Sequence, residues 1–227
     1  MSISDKANRP IPEAILFDLD GTLLDSAPDM LAAVNRLLAA HGMDRMTLER
    51  IRPHVSKGSR AMLAAAFPQS SDREREALVP DFLAAYQDEM GRHSRLFDGV
   101  ESVLDTLESR GIRWGIVTNK PEYLARRVMP QLGWERRCAV LIGGDTLAHA
   151  KPHPLPLLAA AESLDAVPEN CDYVGDDQRD IQAAQAAGMC SIAALWGYRS
   201  ADELPMQWEA DHSIEQPRDL LTLYWPL

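Results

Sequence analysis

The chain has 227 residues, with 23 Lys and Arg against 34 Asp and Glu, a formal net charge of −11 at pH 7 and a pI near 5.0. Its 46% hydrophobic and 25% charged residues match ordinary globular chains and exclude a disordered, collagen-like or coiled-coil protein. The acid excess excludes broad binding to nucleic acid or to an anionic membrane, because both select basic faces. A small anionic ligand needs only a local positive pocket and stays open.

The opening stretch, Met-Ser-Ile-Ser-Asp-Lys-Ala-Asn-Arg-Pro, has no apolar core of the kind a secretion signal needs. No uncharged apolar run approaches the roughly 18 residues that span a bilayer. Cys138, Cys171 and Cys190 are odd in number and far apart, which suggests neither a disulfide framework nor a paired-cysteine metal site. A soluble cytoplasmic protein with buried, inert thiols is expected.

Residues 13–18, Glu-Ala-Ile-Leu-Phe-Asp, form a short apolar run without alternation, the pattern of a strand buried on both faces. Residues 26–95 then offer helical stripes and no convincing strand: Met30, Val34, Leu37 and Leu38 ending near Gly42, and Phe82, Ala85, Tyr86 and Met90. Val100, Val103, Leu104 and Leu107 predict a helix stopping at Gly111. Strands are expected at 113–117, 139–142, 172–174 and 190–194, with an alanine-rich helix around Ile181 and Ala184 that stops at Gly188. Pro205 and the closing Trp-Pro-Leu suggest a loose tail. Strand alternating with helix is the signature of a doubly wound α/β fold with a parallel sheet. The expected organisation is an α/β core made of residues 1–25 and 96–227, interrupted by a helical insertion at 26–95.

The charged and polar residues of interest follow the strands. Asp18-Leu19-Asp20-Gly21-Thr22 comes after the first, which puts two carboxylates at the carboxyl edge of the sheet, where open α/β folds bind ligands. Like charges this close repel unless a cation sits between them. Gly175-Asp176-Asp177 adds carboxylates suited to an oxygen-ligated Mg²⁺, and Lys151 a fixed positive charge. Thr118-Asn119 supplies a hydroxyl and an amide able to donate to phosphate oxygens. Taken singly, these are equally a capping turn, an N-cap before Pro121 and a surface lysine. Together they can converge at one sheet edge.

In combination the residues resemble the phosphatases of the haloacid dehalogenase superfamily. Asp18-Leu-Asp-Gly-Thr-Leu23 resembles the first motif, Val117-Thr-Asn119 the second, Lys151-Pro152 the third and Val174-Gly-Asp-Asp-Gln-Arg-Asp180 the fourth. A helical block between the first two motifs resembles the C1 cap of the phosphoglycolate phosphatase branch. Flanking stretches, Ser94-Arg-Leu-Phe-Asp-Gly99 among them, look most like N-acetylmuramic acid 6-phosphate phosphatases.

The resemblance implies a Mg²⁺-dependent phosphomonoesterase of small phosphorylated metabolites. Asp18 would be the nucleophile and Asp20 the general acid and base. Gly21, Thr22, Thr118, Asn119 and Lys151 would bind phosphate, and Asp18, the Asp20 main-chain carbonyl and Asp176 the metal. Asp180 would support the metal without touching it; Asp177, at a position often occupied by Ser or Thr, would stand beside it. Within the basic stretch 52–60, Ser56, Lys57 and Arg60 are expected to contact the leaving group, and His54 to be structural. Asp25-Ser26 and Asp98-Gly99 are candidate hinges, and Trp196-Gly197-Tyr198 a candidate pocket border or core segment. A phosphomutase of the same superfamily, or a phosphoacceptor signalling domain that holds rather than releases phosphate, are the alternatives.

Overall fold

The computed structural model describes residues 10–200 and 203–226. The stretch before Pro10 and the terminal Leu227, read above for a signal and a tail, lie outside the described residues. The apolar run of residues 13–18 forms β1 (Ala14–Phe17), in which every side chain is buried. Alternation sends its residues to opposite faces. Ile15 and Phe17 pack with the helices α5 (Val100–Ser109), α6 (Glu122–Leu132) and α9 (Asp219–Tyr224) through Leu104, Val128 and Leu220. Ala14 and Leu16 face α7 (Leu155–Ser163) and α8 (Gln178–Ala186), through Leu157 and Ala183.

β1 lies in the middle of a six-stranded, all-parallel sheet with β4 (Arg113–Val117), β5 (Leu141–Ile142), β6 (Cys171–Gly175), β7 (Cys190–Ala194) and β8 (His212–Ile214), in the order β5-β4-β1-β6-β7-β8. The chain winds outward from β1 through β4 to β5, then returns to β6 on the other side of β1 and winds outward again. The direction of winding therefore reverses between β1 and β6, and a crevice opens at their carboxyl ends. The α/β expectation holds, with layers of helix on both faces. No helix among the described residues is long and apolar enough to cross a membrane. Burial pushes the Cys138 and Cys171 thiols up to about 11, out of the reactive range.

Two sequence expectations need correction. The strand expected at 139–142 is only Leu141–Ile142, because it is an edge strand paired on one side, to Ile116 and Val117. The loose tail is instead β8 and α9. Ile214, Leu220 and Tyr224 enter the core beside β1 and β7, which a three-residue His-Ser-Ile strand does not announce by hydrophobicity.

After β2 (Leu24–Asp25) the chain leaves the sheet for α1 (Ala27–Ala40), α2 (Leu48–Ile51), α3 (Ser59–Ala66) and α4 (Asp72–Glu89), and returns at β3 (Arg95–Leu96). β2 and β3 form an antiparallel pair, Leu24 opposite Leu96 and Asp25 opposite Arg95. The helices bury their own cluster, with Val34, Leu38, Ile51, Leu63 and Tyr86 at its centre. α4 begins with a capping box: Glu74 N–H donates to Ser71 Oγ, and Ser71 N–H donates to the Glu74 carboxylate. The return path is fixed by Asp29 of α1, fully buried, whose carboxylate accepts from the N–H groups of Gly91 and His93 at 2.6 and 2.7 Å and from the Ser94 hydroxyl. Replacing Asp29 with Ala would leave these donors buried and unpaired. The expected cost is about 3 kcal/mol, read in thermal denaturation as a fall in Tm of roughly 6–12 °C.

Candidate active site

Four strand-end loops meet over the crevice. Asp18 directly follows β1, and its backbone N–H continues the sheet by donating to Val174 O at 2.9 Å. Asp176 follows β6, Thr118 follows β4, and Lys151 precedes α7. The Lys151 ammonium, its side chain only 2% exposed, lies 3.0 Å from Asp18 Oδ1 and 2.7 Å from Asp180 Oδ1, and donates to Tyr173 Oη at 2.6 Å. Burial alone would lower the lysine pKa. The charges of Asp18 and Asp180 outweigh it, and the net shift is upward, so the ammonium is retained.

Asn119, expected at the phosphate, instead uses its whole side chain on Lys151: Nδ2 donates to the Lys151 carbonyl at 2.9 Å, and Oδ1 accepts from the Lys151 N–H at 3.0 Å. Thr118 Oγ1 accepts from the Lys120 N–H at 3.2 Å, which leaves its own hydrogen available to a ligand.

Asp176 is held from several sides. Its Oδ1 accepts from Thr22 Oγ1 at 3.2 Å, and its Oδ2 from Tyr198 N–H at 2.7 Å and Ser56 Oγ at 2.9 Å. Backbone approaches it closely: a Cβ on Gly21, which has φ +93°, would stand 2.3 Å from Asp176 Oδ2, and one on Gly197 would stand 2.2 Å from its Cβ. Gly21 and Thr22 thus bear on Asp176 and are not among the residues lining the cleft. Burial, then the charges of Asp18 and Asp180, push the Asp176 carboxyl well above the usual carboxylate range.

Asp180 divides its oxygens, Oδ1 to Lys151 and Oδ2 to the Asp177 N–H at 3.0 Å. Burial raises it to about 6 against the opposing pull of Lys151. Asp177 turns to Arg179, accepting from its Nε at 2.7 Å and from its backbone N–H at 3.0 Å, and so caps α8. Burial would raise the Asp177 pKa, but the Arg179 contacts prevail and lower it.

Among the described residues, Asp18, Asp176 and Asp180 form a group whose carboxylate oxygens lie within 4.8 Å of one another, all three residues being buried. Asp18 Oδ1 is buried without a hydrogen-bond partner, its contact to Lys151 being one of charge alone. Three carboxylates against one ammonium leave two formal negative charges uncompensated. An all-oxygen donor set with more carboxylate charge than its one lysine offsets fits a hard divalent cation such as Mg²⁺.

Asp20 is not one of this group. Its two oxygens receive Lys120 Nζ at 3.0 and 2.9 Å, and Oδ1 also receives Ser26 Oγ at 2.6 Å. Lys120 donates as well to Tyr86 Oη of α4 at 2.6 Å. Burial works to lower the Lys120 pKa, yet Asp20 and Tyr86 shift it upward, and burial pushes the Tyr86 phenol up to about 12.

Asp18, Asp20, Thr118, Asn119 and Lys120 floor a cleft of about 400 Å³. The helical insertion closes it from above with the 55–60 turn and lines one wall with Met30, Met62, Val79, Phe82 and Leu83. Ser56, Lys57 and Arg60 all line the cleft, though each is engaged: Ser56 with Asp176, Lys57 Nζ with Glu203 at 2.6 Å, and Arg60 in a two-point pair with Glu76 at 2.6 and 2.7 Å. The Trp196 indole donates to Thr22 O at 3.0 Å and packs against the core, and Tyr198 ties Asp25 and the Ala27 N–H to the sheet edge.

Sequence reasoning missed Lys120, Tyr86, Ser26 as a partner of Asp20, and Arg179 at the cleft wall. The one available signal was the position of Lys120, next to Thr118-Asn119 at a strand end.

The haloacid dehalogenase-like hydrolase family model matches residues 15–194. The chain is 62% identical over 209 residues to a phosphoglycolate phosphatase of Xanthomonas campestris pv. campestris, covering 92% of this chain and 95% of that protein. It is 42% identical over 210 residues to the N-acetylmuramic acid 6-phosphate phosphatase of Pseudomonas aeruginosa, covering 92% and 93%. The crystal structure of a predicted phosphoglycolate phosphatase from Haemophilus somnus superposes with a TM-score of 0.84 at 25% identity, over 95% of this chain and 99% of that one. With its strand-end acids gathered on a sheet of this topology, the chain belongs to the haloacid dehalogenase-like hydrolases.

Proposed function

We propose that the chain is a Mg²⁺-dependent phosphatase of a small phosphorylated metabolite, acting in the cytoplasm through a phosphoryl-enzyme on Asp18. The observation that carries this reading is the Asp18 carboxylate, buried at the cleft floor in an ion pair with Lys151 and grouped with Asp176 and Asp180. Membership of a hydrolase family and the phosphatase relatives support it.

An Asp18 oxygen attacks phosphorus as the ester P–O bond breaks, and Asp20 gives a proton to the departing oxygen. Asp20 then takes a proton from the water that attacks phosphorus, which releases phosphate and restores Asp18. Thr118 Oγ–H and the Lys151 ammonium hold the phosphoryl oxygens, where charge is spread during transfer. Asn119 serves by fixing the Lys151 main chain, and Asp180 by fixing its ammonium. Asp18, Asp176 and the Asp20 main-chain carbonyl would hold Mg²⁺, which supplies compensating charge for the phosphate and the carboxylates. Asp177, committed to Arg179 and the α8 cap, acts through that cap.

Residues 26–95 act as the cap, pivoting on the β2–β3 pair near Asp25-Ser26 and Asp98-Gly99. Lys57, Arg60 and Arg179 offer charge to the leaving group on re-pairing. The relatives' names point to 2-phosphoglycolate or N-acetylmuramic acid 6-phosphate. The apolar wall and the 400 Å³ volume favour the sugar phosphate, because a two-carbon glycolate leaves most of such a wall wet. The deciding experiment compares kcat/KM on these two esters with purified protein. A preference of tenfold or more for the sugar phosphate is expected, and the reverse order assigns the glycolate.

Asp18→Asn is expected to fold normally by circular dichroism and to release no phosphate above background; turnover by this variant removes Asp18 as nucleophile. Chelation with EDTA should stop the wild type, and Mg²⁺ should restore it. Mg²⁺ should also raise the wild-type Tm by mass action but not that of Asp176→Asn, a readout independent of activity.

A further inference from the structure

Among the described residues, four cations line the cleft: Lys57, Arg60, Lys120 and Arg179. The Lys120 ammonium is taken up by both oxygens of Asp20 and the hydroxyl of Tyr86. Lys57, its side chain 38% exposed, pairs with Glu203, and Arg60, 76% exposed, with Glu76; water screens charges so exposed. Arg179 differs from all three. It stands in the first turn of α8 with its guanidinium fixed on two sides. Nε and Nη2 donate to the Asp177 carboxylate at 2.7 and 3.2 Å, and Nη2 donates to the Ser56 carbonyl of the helical insertion at 2.5 Å. The remaining nitrogen, Nη1, carries two N–H bonds and has no hydrogen-bond partner among the described residues. Burial acts against this cation, but the contacts to Asp177 and the charges of Asp180 and Asp18 raise its pKa, so it stands within electrostatic reach of Asp18. The tether to Ser56 puts it at the seam between core and insertion, where the leaving group of an ester bound at Asp18 has to lie.

The wall of Met30, Met62, Val79, Phe82 and Leu83 has no donor for an anion. 2-Phosphoglycolate and N-acetylmuramic acid 6-phosphate differ greatly in size, yet each has a carboxylate on its leaving group. A carboxylate entering a cleft floored by Asp18 and Asp20 needs a cation already in place, and a guanidinium fixed by its other nitrogens is such a group. We propose that Arg179 is a specificity-determining residue that takes this carboxylate on Nη1, so that the protein selects phosphate esters whose leaving group is itself an acid over esters whose leaving group is uncharged. Asp177 and the Ser56 carbonyl hold the guanidinium in place for that contact. The proposal rests on the phosphatase reading above.

Two ester pairs separate this role from a structural one. N-acetylmuramic acid 6-phosphate is set against N-acetylglucosamine 6-phosphate, which lacks the lactyl acid, and 2-phosphoglycolate against 2-hydroxyethyl phosphate, in which an alcohol replaces the acid. Their kcat/KM values are measured for the wild type, Arg179→Gln and Arg179→Lys, with thermal melts to establish folding, and the pair with the faster acid ester decides. The wild type is expected to favour the acid ester about 10- to 100-fold. Arg179→Gln should bring that ratio to within about threefold of unity, chiefly by loss on the acid ester, and Arg179→Lys, which keeps the charge but not the planar fork, should fall between. Equal losses on both members in Arg179→Gln, with the wild-type ratio kept, make Arg179 a tether of the insertion or a phosphate ligand and overturn the proposal alone. A wild-type ratio near one does the same. If the wild type hydrolyses neither member of either pair, the phosphatase reading falls and this proposal with it. If Arg179→Gln does not fold, Arg179→Lys decides, and an unchanged ratio there overturns the proposal.

Discussion

A lysine buried to the extent of Lys151 remains a cation only if carboxylates surround it, and carboxylates buried to the extent of Asp18, Asp176 and Asp180 remain anions only if cations do. This mutual requirement organises the sheet edge. It places the loop after β1 against the loop after β6 and the segment before α7, three pieces distant in sequence. The acids outnumber the lysine, so the cluster keeps a deficit of positive charge that the fold does not fill from its own residues. A phosphatase can use that imbalance, because a metal dication would answer it and so let a phosphate dianion approach the same carboxylates.

Around this centre the protein has built two rings of support with different tasks. Asn119, Asp180 and Tyr173 fix where the Lys151 chain and ammonium stand. Thr22, Ser56, Tyr198 and the close glycines fix Asp176. Ser56 comes from the helical insertion, as does Tyr86 at Lys120, so the insertion reaches the acid cluster and the Asp20 carboxylate through separate hydroxyls. Covering the cleft and ordering its acids are thus done by one set of helices.

The fold class was legible because the central strands are unbroken apolar runs that stop at acids, and Ile-Leu-Phe-Asp can be little else. The same clarity extended to α5, where Val100, Leu104 and Leu107 fall on one face. The C-terminal strand and helix were not legible, since His-Ser-Ile carries too little hydrophobicity to stand out before its neighbours bury it. Site residues next to strand ends could be nominated by position, yet their hydrogen-bond allegiance could not. Asn119 looks like a phosphate donor and spends both side-chain atoms on a neighbouring loop. Arg60 looks like a ligand contact and pairs with Glu76, while Lys120, which nothing in the spacing singles out, is enclosed by Asp20 and Tyr86. Those allegiances depend on which loops touch, information that spacing along the chain does not contain.

The paired hydrogen bonds between the Asn119 side chain and the Lys151 main chain have an evolutionary corollary. They join the two ends of a 32-residue excursion that includes β5 and α6, so the lysine's placement is set at the junction and not by the path between. Beyond Lys120, the cleft residues Pro121 and Leu124 and the core faces of α6 and β5, the exposed turns of that excursion can change length while Lys151 stays anchored at the junction.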